Sequence, residues 1–160
     1  MSVIVLLDTS IYLNILNIPG YNQKNITVLD EFELRMNNGD YFFLPLASIW
    51  ETGNHIADIV DGGNRRRFAS KLFEDVRKAI NGSAPYRPTY FPSRDDFLIW
   101  LEQFPDYAAR NKAENHTREG VSLSDLSIIK EWEKACNCFS MSRVLIWSLD
   151  RDLIGYDRAP

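Results

Sequence analysis

Short unbroken apolar runs alternate along this chain with stretches whose apolar residues fall at steps of three and four. Val3-Ile4-Val5-Leu6-Leu7 is the first run and predicts a buried strand. Residues 11–16 read as a short helix stopped by Pro19-Gly20, and residues 23–36 as a second, with Ile26, Leu29, Phe32 and Met36 at helical spacing. Asn37-Asn38-Gly39-Asp40 signals a turn, and Tyr41-Phe42-Phe43-Leu44-Pro45 a compact aromatic strand ended by proline. Residues 47–60 form the next predicted helix, punctuated by Gly62-Gly63, and residues 65–80 another, closed by Asn81-Gly82.

The second half is less regular. Thr89-Tyr90-Phe91 lies between prolines and reads as a short edge strand, residues 93–104 as a helix and residues 111–120 as a polar loop. Ser122 starts a clear helix whose inward stripe is Asp125, Ile128, Ile129, Trp132 and Cys136. Residues 143–147 form the last strand, and the tail from Asp152 adds a brief edge element. Trp50, Trp100, Trp132 and Trp147 occupy apolar positions and are expected in the core. Strands alternating with helices predict an α/β sandwich around a mainly parallel sheet.

At 160 residues, 45% of them hydrophobic, the chain fits a single domain over residues 1–160. No apolar stretch approaches the ~20 residues that span a bilayer, and the first run lacks the basic flank of a signal peptide, so a cytoplasmic protein with no membrane association is expected. Cys136 and Cys138 form a lone C-x-C, too few ligands for a structural zinc site, and read as reduced structural thiols. A net charge of −4, from 18 basic and 22 acidic residues, argues against a generic nucleic-acid coat. It leaves a nuclease open: four acids set aside in a metal site would leave 18 against 18.

The acids are the most informative residues. Asp8 closes the first apolar run and is followed by Thr9-Ser10; after Val144-Leu145-Ile146-Trp147, Ser148-Leu149-Asp150 repeats the arrangement. Two predicted strands thus deliver carboxylates to the sheet edge where open parallel sheets bind ligands. Glu51 and Asp125 stand one turn into their helices, three residues after Ser48 and Ser122. Each acid has a plainer role available: Ser-x-x-Glu is capping-box spacing, Asp8 suits a helix cap, and Asp150 suits a turn. As a set, however, converging carboxylates repel one another, and a divalent cation removes the conflict. Mg²⁺ or Mn²⁺ on oxygen ligands suits phosphodiester hydrolysis by a metal-activated water.

The segments Leu7-Asp8-Thr9-Ser10, Trp50-Glu51-Thr52-Gly53-Asn54-His55, Ser122-Leu123-Ser124-Asp125 and Ser148-Leu149-Asp150-Arg151-Asp152 together resemble the PIN-domain nucleases. The resemblance covers nearly the whole chain and is strongest to the VapC-type ribonuclease toxins of bacterial toxin–antitoxin pairs. It implies a PIN-like three-layer sandwich, a Mg²⁺- or Mn²⁺-dependent endoribonuclease acting on RNA, frequent homodimers and, in the toxin branch, a small antitoxin partner. Asp8, Glu51 and Asp125 would carry the metal, and Asp150 would complete the acidic pocket, with Asp152 as its substitute. Ser10 or Ser148 would hydrogen-bond a site acid or phosphate. The long proline-broken stretch between Ile80 and Ser122 departs from the compact toxins and keeps an RNA-processing nuclease in view.

His55, four residues after Glu51, is expected to support the site rather than act as its base. Arg65-Arg66-Arg67 makes one helix basic; it either contacts RNA phosphates, with Tyr86, Tyr90 or Phe91 stacking bases, or is a solvated surface. Two competing functions remain. Aspartyl-phosphate phosphatases also begin with a strand-end Asp, but their Asp-x-Asp start would need an acid where Ser10 stands. A non-catalytic PIN-like module binding RNA or protein would not need all four acids.

Overall fold

The first strand is buried on both faces, and that double burial sets the architecture. The computed structural model describes residues 3–113 and 116–160, with side chains described outside residues 113–118. In chain order the elements are β1 (Val3–Leu7), α1 (Thr9–Ile15), α2 (Asn25–Asn37), β2 (Tyr41–Leu44), α3 (Leu46–Ala57), α4 (Gly62–Ile80), β3 (Tyr86–Pro88), α5 (Arg94–Ala109), β4 (Asn111–Ala113), β5 (His116–Gly120), α6 (Leu123–Cys138), β6 (Arg143–Trp147), α7 (Arg151–Ile154) and β7 (Asp157–Arg158). The main sheet has the order β3-β2-β1-β6-β7. All its pairings are parallel except β6 with β7, so the expected α/β class with a mainly parallel sheet is present.

Side chains of β1 alternate between two cores, as strand geometry requires. Val5 and Leu7 join Ile11, Tyr12, Val28, Phe32 and Phe42 on one face. Ile4 and Leu6 join Ile128, Ile129, Val144 and Ile146 on the other. Helices therefore cover both faces, α1 and α2 on one and α6 on the other. On the first face Asp75 of α4 accepts the hydroxyls of Tyr12 at 2.7 Å and Tyr86 at 2.6 Å through a single oxygen. Burial, with the Asp75 charge, raises both phenols far above their ordinary range. Among the described residues no helix is long and apolar enough to cross a membrane.

Several expectations need correction. Gly62-Gly63 opens α4 instead of separating two helices, because the Asp61 side chain caps it by accepting the Asn64 N–H. The edge strand is Tyr86–Pro88, not residues 89–91: Tyr86 is buried against the core while Tyr90 and Phe91 face out. Helix α5 runs past Phe104 to Ala109 with Pro105 inside it. The polar stretch 111–120 holds an antiparallel pair, β4 with β5, and residues 114–115 of that stretch lie outside the described residues. Trp50 is 68% exposed and not in the core, whereas Trp100, Trp132 and Trp147 are half-buried. Both cysteines are free thiols, Cys136 buried and Cys138 exposed.

Candidate active site

Asp8 sits where β1 ends, its backbone N–H still bonded to Trp147 O at 3.0 Å, so the ends of β1 and β6 are held side by side. It caps α1 by accepting the Ser10 N–H, the plainer role foreseen for it. It does more than cap. Its Oδ2 also accepts the hydroxyls of Ser10 and Ser148, each at 2.7 Å. Those hydroxyls are themselves oriented, Ser10 Oγ by the Leu149 N–H and Ser148 Oγ by the Asp150 N–H, each at 2.9 Å. Burial pushes the Asp8 carboxyl up, and the two serine hydroxyls and nearby amides work against that shift. Ser10 and Ser148 therefore both donate to Asp8.

Glu51 is not part of a capping box. Helix α3 begins at Leu46 behind Pro45, which places Ser48 within the helix, where its hydroxyl donates to Leu7 O at 2.8 Å. Glu51 instead accepts the Thr9 hydroxyl at 2.8 Å, tying α3 to the residue after Asp8. Thr9 was not singled out in the sequence; its only signal was its place between two polar site residues.

The other acids gather around a lysine. Ser122 caps α6 by accepting the Asp125 N–H at 3.0 Å. The Asp125 carboxylate then faces Lys112 Nζ at 3.5 Å, and Asp152 faces the same ammonium at 3.7 Å. Asp125 Oδ2 and Asp152 Oδ1 are buried with no hydrogen-bond partner among the described residues. Burial opposes the charge on Lys112, but Asp125, Asp152 and Asp150 together hold its pKa above the ordinary value. Asp150 itself is exposed and makes no side-chain cap to α7. The acid that faces Asp125 is thus Asp152, the residue named as a substitute. Lys112 lay in the stretch read as a polar loop and carried no signal of its own.

The remaining candidates lie outside this cluster. The His55 ring packs on Tyr21 with centroids 4.2 Å apart, and its Nδ1 is buried without a hydrogen-bond partner among the described residues. Arg65 donates to the carbonyls of Ile59 at 2.7 Å and Val60 at 3.0 Å, satisfying the chain just past α3. Arg67 lies over the Phe68 ring at 4.8 Å, and Arg66 is exposed.

Among the described residues no three His, Cys, Asp or Glu side chains form a group that could hold a metal ion. The donor chemistry nevertheless fits a hard cation. Magnesium commonly takes one or two carboxylates and completes its shell with waters and phosphate oxygens, so two orphaned carboxylate oxygens suffice as the protein's share. Asp125 and Asp152 line a small cavity of about 140 Å³ with Lys112, Arg110, Tyr156 and the apolar Val121 and Leu153. Lys112 Nζ stands 3.5 Å from Asp125 Oδ2 and 3.7 Å from Asp152 Oδ2, beyond the roughly 2.7–2.9 Å of a charge-assisted hydrogen bond, so its ammonium balances charge while Asp125 Oδ2 and Asp152 Oδ1 are left without a close partner. No protein-family model matches the chain, and no curated protein or solved structure matches it.

Proposed function

We propose that this protein is a PIN-type, Mg²⁺- or Mn²⁺-dependent endoribonuclease that hydrolyses RNA phosphodiester bonds at the carboxyl edge of its parallel sheet. The observation that carries the reading is the pair of buried, unbonded carboxylate oxygens on Asp125 and Asp152, at the edge that also bears Asp8 and Glu51. Leaving such groups without partners costs on the order of 1–3 kcal/mol each, a cost that a bound cation offsets. When bound, the metal supplies charge to polarise a phosphate and acidity to activate water.

The chain's own residues divide the remaining work. Asp8, held by Ser10 and Ser148, presents a fixed carboxylate; Glu51, held by Thr9, presents a second from the facing helix. Asp125 and Asp152 would hold the metal. Lys112 is placed to meet a phosphate oxygen once a divalent ion takes over the neutralisation of the two aspartates. The resemblance extends this to a toxin restrained by an antitoxin, and to a processing nuclease as its alternative.

Lys112 also favours a second reading, a PIN-like module that binds RNA or protein without cutting, its ammonium standing permanently where a metal would bind. Purified protein incubated with RNA in Mg²⁺, Mn²⁺ or EDTA separates the two. Metal-dependent cleavage lost in Asp8→Asn supports the nuclease; RNA binding with no cleavage in any metal supports the module. Controlled expression in bacteria, with total RNA examined for discrete fragments and growth followed, tests the toxin role.

A further inference from the structure

An apolar cavity of about 380 Å³ opens beside the acid edge, bounded by Ala47 and Trp50 of α3, Phe97 and Trp100 of α5, and Ser124 and Glu131 of α6. Trp50 immediately precedes Glu51, and Ser124 immediately precedes Asp125, so the cavity starts one residue from two acids of the site. A second cavity of about 160 Å³, lined by Thr89, Tyr90, Lys134 and Phe139, lies further along α6. Glu131 lines both. Its residue is only 7% exposed, and it makes no ion pair among the described residues. A buried carboxyl between two apolar cavities, one of them lined also by an indole left open to solvent, is an expensive arrangement for a fold to keep without a ligand.

We infer that this cavity is a subsite for one unpaired guanine base of the RNA, stacked on Trp50 and Trp100 and read by the Glu131 carboxylate. The inference rests on the ribonuclease reading for its substrate class. Stacking on aromatic rings accepts any base, since every base has a π face. Selection falls to Glu131. An ionised carboxylate only accepts hydrogen bonds, and guanine presents two adjacent donors, N1–H and N2–H, to its two oxygens. Adenine and cytosine offer one amino group beside an acceptor nitrogen, which would face the second oxygen; uracil flanks a single N–H with two carbonyls. A site built to be filled by donors rejects a base lacking them, because its buried polar group is then left unpaired.

Burial raises the Glu131 carboxyl to about 7, with the Lys134 charge and the Thr89 hydroxyl opposing the rise and Asp96 adding to it, so binding is measured at pH 8, where the carboxylate form prevails. The probe is a uridine oligonucleotide with a single central guanosine, compared with inosine, adenosine and uridine at that position. Fluorescence anisotropy on the Asp8→Asn protein in EDTA excludes cleavage. The guanosine oligomer should bind about tenfold tighter than the all-uridine one, with inosine between them. Glu131→Gln should abolish that preference while keeping the all-uridine affinity, and Trp50→Ala should weaken the guanosine oligomer most. Equal binding of all four oligomers, or a preference intact in Glu131→Gln, overturns the subsite. Wild-type cleavage in Mg²⁺ is scored separately. Cleavage without guanine preference removes the subsite and keeps the nuclease; guanine preference without cleavage does the reverse.

Discussion

The two halves of the acid edge accommodate buried carboxylates by different means. At Asp8, two serine hydroxyls donate to one oxygen at 2.7 Å; at Asp125 and Asp152, one ammonium stands 3.5 and 3.7 Å away. Hydroxyl dipoles fix an oxygen in place and leave its charge intact. An ammonium at that range cancels charge and leaves the oxygens unbonded. The Asp8 half is therefore rigid and permanently arranged, while the Lys112 half is the one whose counter-charge can be exchanged for another cation. Precision and exchangeability are separated across a few residues of one sheet edge.

Removing the fixed half should have the largest effect. Asp8→Asn keeps the shape of the cap but loses the charge, and is expected to slow RNA cleavage by ~100-fold or more. Glu51→Gln and Asp125→Asn should act in the same direction; initial rates in Mg²⁺ beside circular dichroism check both activity and fold. Wild-type rates in all three would break the comparison at its root.

Removing the exchangeable half tests stability next. Lys112→Met leaves two buried carboxylates uncompensated and should cost about 2–3 kcal/mol in EDTA, with most of the loss recovered in millimolar Mg²⁺. Urea melts in the two buffers measure this, and a loss that Mg²⁺ does not relieve would mean the oxygens do not accept a metal. Ser148→Ala should cost about 1.5 kcal/mol by removing a hydrogen bond to a buried carboxylate that Ser10 still serves. That loss should be the same with and without Mg²⁺, which sharpens the contrast between the halves.

Glu131 is the third case, a buried carboxyl at which burial outweighs the Lys134 charge and the Thr89 hydroxyl that oppose it. In the folded protein its pKa is raised to about 7 from an ordinary 4.5, so as pH rises the unfolded chain releases this proton first. Folding therefore loses stability between pH ~4.5 and ~7, and Glu131→Gln should remove the loss. The full shift would correspond to ~3 kcal/mol at 1.36 kcal/mol per unit, and residual solvent screening reduces it to ~1 kcal/mol. Thermal melts should show the variant stabilised at pH 8 and nearly unchanged at pH 5; the opposite ranking would refute the burial argument.

What the sequence made legible follows from where burial leaves a periodic trace. Val3–Leu7 and Arg143–Trp147 were readable because their apolar runs face cores, and Ile128, Ile129 and Cys136 because a helix buried on one face repeats at steps of three and four. The β4–β5 pair was not: Asn111, Glu119 and Gly120, exposed or half-buried, give no alternation, and so Lys112 was hidden in an apparent loop. Trp50 misled for the complementary reason. It stands next to Glu51 on the side of α3 that lines a cavity, and an apolar residue facing a ligand site leaves the same trace as one facing a core. The pairing of Asp125 with Asp152 about Lys112, in place of Asp150, depended on the direction of a four-residue helix, which no spacing encodes.

Asp75 joins elements distant in sequence through one oxygen, taking the hydroxyls of Tyr12 from α1 and Tyr86 from β3 onto α4. Opening any one of the three strands a buried phenol or carboxylate, so none can open cheaply alone. In hydrogen-exchange terms α1, α4 and β3 behave as one cooperative unit. The helix that presents Thr9 to Glu51 then inherits the slow exchange of that unit, and the acid edge gains its rigidity from a contact made in the middle of α1, one turn past Thr9.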